Sequence, residues 1–342
     1  MRCLTLATQF LPANTVTFIS CPLPSAIQQQ IEDFGIQLLT TPGISGREST
    51  LSSSSELNSA YQCAHALDCI EILYSAGIEA VDILVIDHYL LSASYDKVMR
   101  QCCEHIMVID DLANRKHDCD ILLDQNLYKD LESRYDALVS DSCQMLLGPK
   151  YALLQEAFFT SSSTSRKDNH ILVCFGGSDP LNLTERVVDV LLSLKPLPIS
   201  ADIVVGASYA NVETLAKKAK LLDNTELHIA CSYMPKLMKN APVMFGAGGT
   251  MHWERAASGV AGIIITAADN QIETTRCLQE RHCCWWLGKG EEVTDKEISK
   301  AIKFAISSPQ KMRKLADNAA SLVSDNKNPS FLMDTILNIV TR

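Results

Sequence analysis

Short apolar runs that stop at polar or glycine-rich turns recur along this chain, and amphipathic helical segments alternate with them. The runs occupy 81–87, 105–109, 120–123, 170–175, 201–205, 242–245 and 261–266, and the helical segments include 57–76, 181–194, 211–222 and 271–281. A strand this apolar is buried on both faces, and starting a parallel neighbour requires a crossover of a dozen or more residues, usually a helix. The spacing therefore predicts an α/β fold with parallel sheets. With 342 residues, 47% of them hydrophobic, the chain can build two domains, each with its own core. Between the halves lies 159–169, FTSSSTSRKDN, too polar for a core. The predicted organisation is a domain at 1–158, a linker at 159–169 and a domain at 170–342. The tail from Asp295 has helical spacing interrupted at Pro309 and Pro329, and is expected to cover the second sheet. A serine-rich stretch at 50–55 reads as a surface loop before a helix that starts near Glu56.

The first residues place apolar side chains at 3, 4, 6, 7, 10 and 11, the spacing of a buried helix, followed by a strand-like stretch at 15–20 and a helix at 25–34. A crossover helix follows a strand, so a helix at the very start implies a strand and a turn ahead of it. The first strand of such a sheet usually lies in the middle, and its absence would open a gap between neighbours rather than trim an edge.

A formal net charge of −10 argues against nonspecific binding to nucleic acid or to an anionic membrane surface. A phosphate ligand would have to be held locally, by backbone N–H groups and a few cations. The 13 cysteines include no CxxC and are expected to be reduced thiols packed as small hydrophobes, which suits a cytoplasmic protein. No apolar run reaches about 18 residues, and the N-terminus lacks the apolar core of a signal peptide, so no membrane span is expected.

Three turns in the second half carry candidate chemistry. In ILVCFGGSDP, a buried strand ends on Gly176 and Gly177, followed by Ser178, Asp179 and Pro180 at the start of a helix. Glycines admit a ligand close to the backbone, and unpaired N–H groups at a helix start suit phosphate oxygens. Gly176, Gly177 and Ser178 are the expected phosphate contacts, whereas Asp179 suits a helix cap and Pro180 the first helical position. In FGAGGT, Gly249 and Thr250 again join a strand to a helix, and Glu254 follows four residues later on the same helical face. A carboxylate can accept both hydroxyl protons of a vicinal diol such as a ribose, though a solvated first-turn acid has the same sequence signature. In the third turn, Asn270 and Gln271 offer amides, which match sugar hydroxyls and N-acetyl groups; Asn270 could equally cap a helix. All three turns are expected at the carboxyl edge of one sheet, where open α/β folds bind ligands. In the first half, ILVIDHY ends an apolar strand on Asp87, His88 and Tyr89. His117, Asp118, Cys119 and Asp120 are close in sequence but straddle a strand start, where alternate residues face opposite sides, so no metal site is expected.

IDHY, IDDLANRKHDCDILLDQNLY at 109–128, LLGPKYALLQEAF at 146–158 and FGGSDP at 175–180 together resemble the hydrolases of UDP-2,4-diacetamido-2,4,6-trideoxy-L-altrose, from the pathway to pseudaminic acid, a bacterial surface sugar. The resemblance runs from Arg2 to about Gly288. The second half alone is also similar to the N-acetylglucosaminyl transferases of peptidoglycan synthesis. Both resemblances imply the glycosyltransferase-B architecture, two Rossmann-like domains facing a cleft, with UDP held mainly by the C-terminal domain and no cofactor. The resemblance to the hydrolases implies release of UDP by attack of water on the anomeric carbon. Gly176, Gly177 and Ser178 would then take the diphosphate, Glu254 the ribose, and Asn270 and Gln271 the substrate, with Tyr89 and His88 near the water. The family begins with a strand and a Gly-x-Gly-His loop whose histidine is the catalytic base, a passage expected ahead of Met1. That role therefore transfers to no numbered residue. His88 is the substitute base to be tested, and poor expression or inactivity is expected of the 342 residues alone. The rival readings are a transferase of the same architecture and a noncatalytic UDP-sugar binder.

Overall fold

The computed structural model describes residues 2–11, 13–42, 59–159, 166–327 and 331–340. The serine-rich loop at 50–55, the helix start near Glu56, residues 160–165 of the expected linker and Pro329 lie outside the described residues. Two compact units form: unit 1 comprises Met1–Gln125, Asp130–Leu153 and Asn328–Arg342, and unit 2 comprises Asn126–Lys129 and Leu154–Lys327.

Unit 1 runs α1 (Arg2–Phe10), β1 (Thr17–Ser20), α2 (Ser25–Asp33), β2 (Gln37–Thr40), α3 (Ser59–Ser75), β3 (Val81–Ile86), α4 (Ala93–Met99), β4 (Cys103–Ile109), β5 (Ile121–Asp124) and β6 (Gln144–Leu147). Every strand pairing is parallel, but the strands form two sheets, β1-β2 and β3-β4-β5-β6. The division is internal, because the same helices serve both sheets. Leu4 and Ala7 of α1 cluster with Phe18, Ile31 and Leu38, while Leu6 of the same helix clusters with Ile83, Val85, Met107 and Ile109. On the opposite face, Ala66, Ile70 and Leu73 of α3 cluster with Ile19 and Leu39 as well as Leu84, Ile106 and Val108. Successive strand residues thus alternate between two helical layers, as a doubly covered sheet demands.

Unit 2 runs β7 (His170–Cys174), α5 (Leu183–Ser193), β8 (Ser200–Val205), α6 (Val212–Ala219), β9 (Thr225–Ile229), α7 (Met234–Asn240), β10 (Val243–Gly246), α8 (Met251–Ala257), β11 (Ala261–Thr266), α9 (Ile272–Glu280), β12 (Trp285–Lys289), α10 (Asp295–Ser307) and α11 (Pro309–Ser321). Its six strands are all parallel in the order β12-β11-β10-β7-β8-β9, so the winding reverses between β7 and β10. The α10 helix opens on a capping box between Thr294 and Glu297. Ile298, Ile302, Met312 and Ala316 of α10 and α11 are buried with Val173, Ile263 and Ile265 of the sheet.

The last helix, α12 (Phe331–Val340), departs from the expectation that the whole tail covers the second sheet. Its Leu332 and Ile336 are buried with Leu6, Met107, Ile121 and Leu123 of unit 1. Because α10 and α11 already cover their face of unit 2, the apolar stripe of α12 is left to close the face of β4 and β5. Each of these two side chains contributes about 1.5–3 kcal/mol of burial there. The domain expected at 170–342 therefore ends before α12. All 13 cysteines are unpaired thiols. Among the described residues, no helix is long and apolar enough to cross a membrane.

Candidate functional site

The register of unit 2 brings two glycine-rich turns side by side. Cys174 at the end of β7 pairs with Gly246 at the end of β10, and Gly246 pairs on its other side with Ile264 of β11. Gly176, Gly177 and Ser178 therefore emerge next to 247–250, on either side of the point where the strand order reverses, which is where ligands bind in open α/β sheets. The third turn, Asp269–Gln271, follows the next strand. Gly176 and Gly249 have φ of 96° and 86° and bend each turn away from its strand.

The helix after the first turn is not open to an anion. Asp179 is 4% exposed and takes the N–H groups of Leu183 and Thr184 on its two carboxylate oxygens, at 3.0 and 2.8 Å. This carboxylate closes the start of α5, so only the loop backbone ahead of it can meet a phosphate. The N–H groups of Gly177 and Ser178, and those of Gly249, Thr250 and Met251 in the neighbouring turn, make no hydrogen bond among the described residues. The hydroxyl of Thr250 makes no cap. Ser178 and Thr250 are exposed, and Glu254 is half-buried in the first turn of α8. Burial raises the Glu254 carboxyl to about 7. A carboxyl so placed gains from a ligand whose hydroxyls donate to its ionised form.

Gln271 has a structural part that its sequence did not signal. Its Oε1 accepts the N–H of Ala267 at 3.0 Å and that of Gly248 at 3.2 Å, and its backbone oxygen accepts the Thr275 hydroxyl at 2.6 Å. The side chain thereby ties the β10 turn to the β11 turn, leaving its amide nitrogen as the donor for a ligand. Asn270 is exposed beside it. Gly206, after β8, was not singled out by sequence reasoning. A methyl group there would fall 2.6 Å from the Gly177 Cα and closer still to its carbonyl oxygen, so the turn can sit where it does only beside a glycine. No local pattern signals this, because the requirement comes from a neighbouring strand.

In unit 1 the residues after β3 meet the start of α1. Arg2 donates Nε and Nη2 to the two oxygens of Asp87, at 2.9 and 2.6 Å, and Nη1 to Asp111 at 3.3 Å. Against the upward push of burial, Arg2 holds the Asp87 carboxyl below its usual range. Tyr89, exposed, donates to Asp111 at 3.4 Å. Burial, then Asp111, push its phenol upward, so it stays a donor. The Leu90 N–H donates to His88 Nδ1 at 3.1 Å. A neutral ring held this way carries its proton on Nε2 and acts as a donor rather than a base. The polar residues that follow pair within the protein. Asp110 meets Arg115 at 2.9 Å, His117 meets Asp96 at 2.9 Å, and Asp118 and Asp120 both meet Arg100.

No family model matches the sequence. The UDP-2,4-diacetamido-2,4,6-trideoxy-beta-L-altropyranose hydrolase of Campylobacter jejuni is 32% identical to it over 217 residues, 63% of this chain and 74% of that protein. The chain belongs to this hydrolase's family. A weaker likeness, 28% over 162 residues, covers 46% of this chain and 44% of the UDP-N-acetylglucosamine–N-acetylmuramyl-(pentapeptide) pyrophosphoryl-undecaprenol N-acetylglucosamine transferase of Carboxydothermus hydrogenoformans. Among solved structures, MurG of Acinetobacter baumannii superposes with a TM-score of 0.63 at 13% identity, covering 100% of this chain and 95% of that one. The hydrolase family member described here thus has the glycosyltransferase-B fold of two Rossmann-like domains.

Proposed function

We propose that this chain is an enzyme acting on nucleotide sugars, and specifically a hydrolase that splits UDP-2,4-diacetamido-2,4,6-trideoxy-L-altrose into UDP and the free sugar. The observation that carries the reading is the convergence of two glycine-rich turns with free N–H groups and the half-buried Glu254 at the switch point of the unit 2 sheet. The 32% identity to the Campylobacter jejuni hydrolase supports the choice of substrate.

UDP is a good leaving group, so the main demands are stabilising the charge that develops on the diphosphate and activating water. Backbone N–H groups at Gly177, Ser178, Gly249 and Thr250 serve the first, with Gly176 setting the turn. Glu254 accepts the ribose hydroxyls, and Asn270 with the free amide nitrogen of Gln271 orients the substrate. With its Nδ1 engaged, His88 is a poor substitute base, and His88→Ala is expected to leave the rate largely unchanged.

Transfer to an acceptor is the second reading, favoured by the likeness to transferases in sequence and fold. Incubating purified protein with the UDP-sugar and no acceptor separates the two. Release of UDP and free sugar in equal amounts supports hydrolysis; release only after an acceptor is added supports transfer. UDP binding in calorimetry without turnover under either condition would leave a noncatalytic binder, and absence of binding would refute the site.

A further inference from the structure

We propose that Arg255, His252 and Thr275 are positioning residues. They form a one-way hydrogen-bond relay under the second glycine-rich turn, which holds Gln271 and, through it, keeps the N–H groups of that turn set for a diphosphate, the ligand of the UDP-sugar reading on which this rests. Arg255 of α8 is fully buried, yet no carboxylate offsets the downward push of burial on its pKa. Its Nε has no partner, and its two terminal nitrogens reach only the Val260 carbonyl at 3.4 Å and His252 Nδ1 at 3.3 Å. A buried cation with so few bonds is costly, and an apolar side chain of similar volume would cost less. The fold nevertheless makes room for it. A methyl group at Gly262 of β11 would fall 2.5 Å from Arg255 Nε, so the side chain lies against the bare backbone of that strand.

The guanidinium gives the relay its direction. Arginine only donates, so His252 Nδ1 accepts and the neutral ring carries its proton on Nε2. Burial first, and Arg255 second, hold the His252 pKa well below its ordinary value, which keeps the ring neutral. Nε2 then donates to Thr275 Oγ1 at 3.0 Å, and the Thr275 hydroxyl donates to the Gln271 carbonyl at 2.6 Å. A threonine that bonds back four residues is common within a helix. One that also accepts from a buried histidine of another helix is held in a single orientation. From Gln271 the path reaches the turn, because its Oε1 accepts the Gly248 N–H at 3.2 Å. The fit is close: a methyl group at Gly248 would fall 2.9 Å from Gln271 Cβ and 3.2 Å from Thr275 Oγ1. The relay thus braces the turn whose Gly249 and Thr250 N–H groups make no hydrogen bond among the described residues.

The test compares Thr275→Val, which removes the hydroxyl and nearly keeps the shape, with Thr275→Ser, which keeps the hydroxyl, and with Thr274→Val. Thr274 is the preceding residue of α9, also buried, and its hydroxyl has no partner, so its variant reports what the same change in this core does by itself. In calorimetry with UDP, Thr275→Val is expected to bind about three- to tenfold more weakly, while Thr275→Ser and Thr274→Val stay close to the unmodified protein. In hydrogen exchange without ligand, the Gly248 amide should exchange faster in Thr275→Val and not in the other two. Long-range proton–nitrogen NMR of the unmodified protein requires no variant to fold, and should find the His252 proton on Nε2 at about pH 7. Unchanged UDP affinity in Thr275→Val, or an equal loss in Thr274→Val, would overturn the proposal, as would a proton on His252 Nδ1. If the unmodified protein binds no UDP, the UDP-sugar reading fails by itself. The relay then stands if Gly248 exchanges faster in Thr275→Val, and falls if it does not.

Discussion

On the proposed function, Glu254 would link UDP binding to stability through one proton. Its carboxyl titrates near 7 in the folded chain against an ordinary 4.5. A group raised in this way stabilises the fold fully below its unfolded pKa, and that contribution is lost as pH climbs from 4.5 through about 7. Ribose hydroxyls favour the ionised form, so UDP affinity should rise across the same window. Glu254→Gln is therefore expected to stabilise the ligand-free protein at about pH 8 by roughly 1–3 kcal/mol, with little effect at about pH 4, and to flatten the pH dependence of UDP binding. Thermal unfolding and calorimetry at both pH values check this; equal stability changes at the two would count against it. Asp179 shows the opposite balance. Asp179→Ala frees two N–H groups of α5 and should cost about 1–2 kcal/mol of stability while UDP affinity, in the variant that remains folded, changes little. Its capping part was legible from its place ahead of Pro180 and an amphipathic run. The clamp made by Gln271 was not, since it joins turns that only the sheet brings together.

Among the elements, every internal strand was legible, but of the edge strands only β1 and β3 were. The strands β2, β6, β9 and β12, absent from the apolar runs, all lie at sheet edges. An edge strand has one open side and need not be uniformly apolar; β9 reads Thr-Glu-Leu-His-Ile. Two cross-strand arrangements in unit 2 follow from such packing. Gly206 makes room for the Gly177 turn, and Gly206→Ala should destabilise the protein by about 1–3 kcal/mol and weaken UDP binding together, because the methyl meets backbone rather than a movable side chain. At the opposite end of the sheet from the turns, His170 and His228 both hold Asp202, at 2.8 and 3.0 Å, bridging β7, β8 and β9. Against burial, these hydrogen bonds bring Asp202 down to about 2. The bridge thus contributes stability above the ordinary carboxyl range of 3.8, lost as pH falls through about 2, and acid unfolding of Asp202→Asn should lack that step.

At the scale of the whole molecule, the chain's last helix returns to the first unit, so each unit draws on sequence from both ends or from the middle. Ile336→Ala should destabilise unit 1 by about 2–5 kcal/mol, and in differential scanning calorimetry only one of two transitions should move. If both shift equally, the cores are not separate. The sequence by itself determined the α/β class, the internal strands and the glycine-rich turns at their ends, because strand burial, crossover spacing and glycine placement are local consequences of residue type. Tertiary structure alone decided that α12 serves unit 1, that Asp179 seals α5, that Gln271 and Gly206 hold the turns in place, and that the first sheet is divided between β1 and β3. Each of those depends on what lies across the next strand or beneath the next helix, and a residue carries no mark of a neighbour that only folding brings to it.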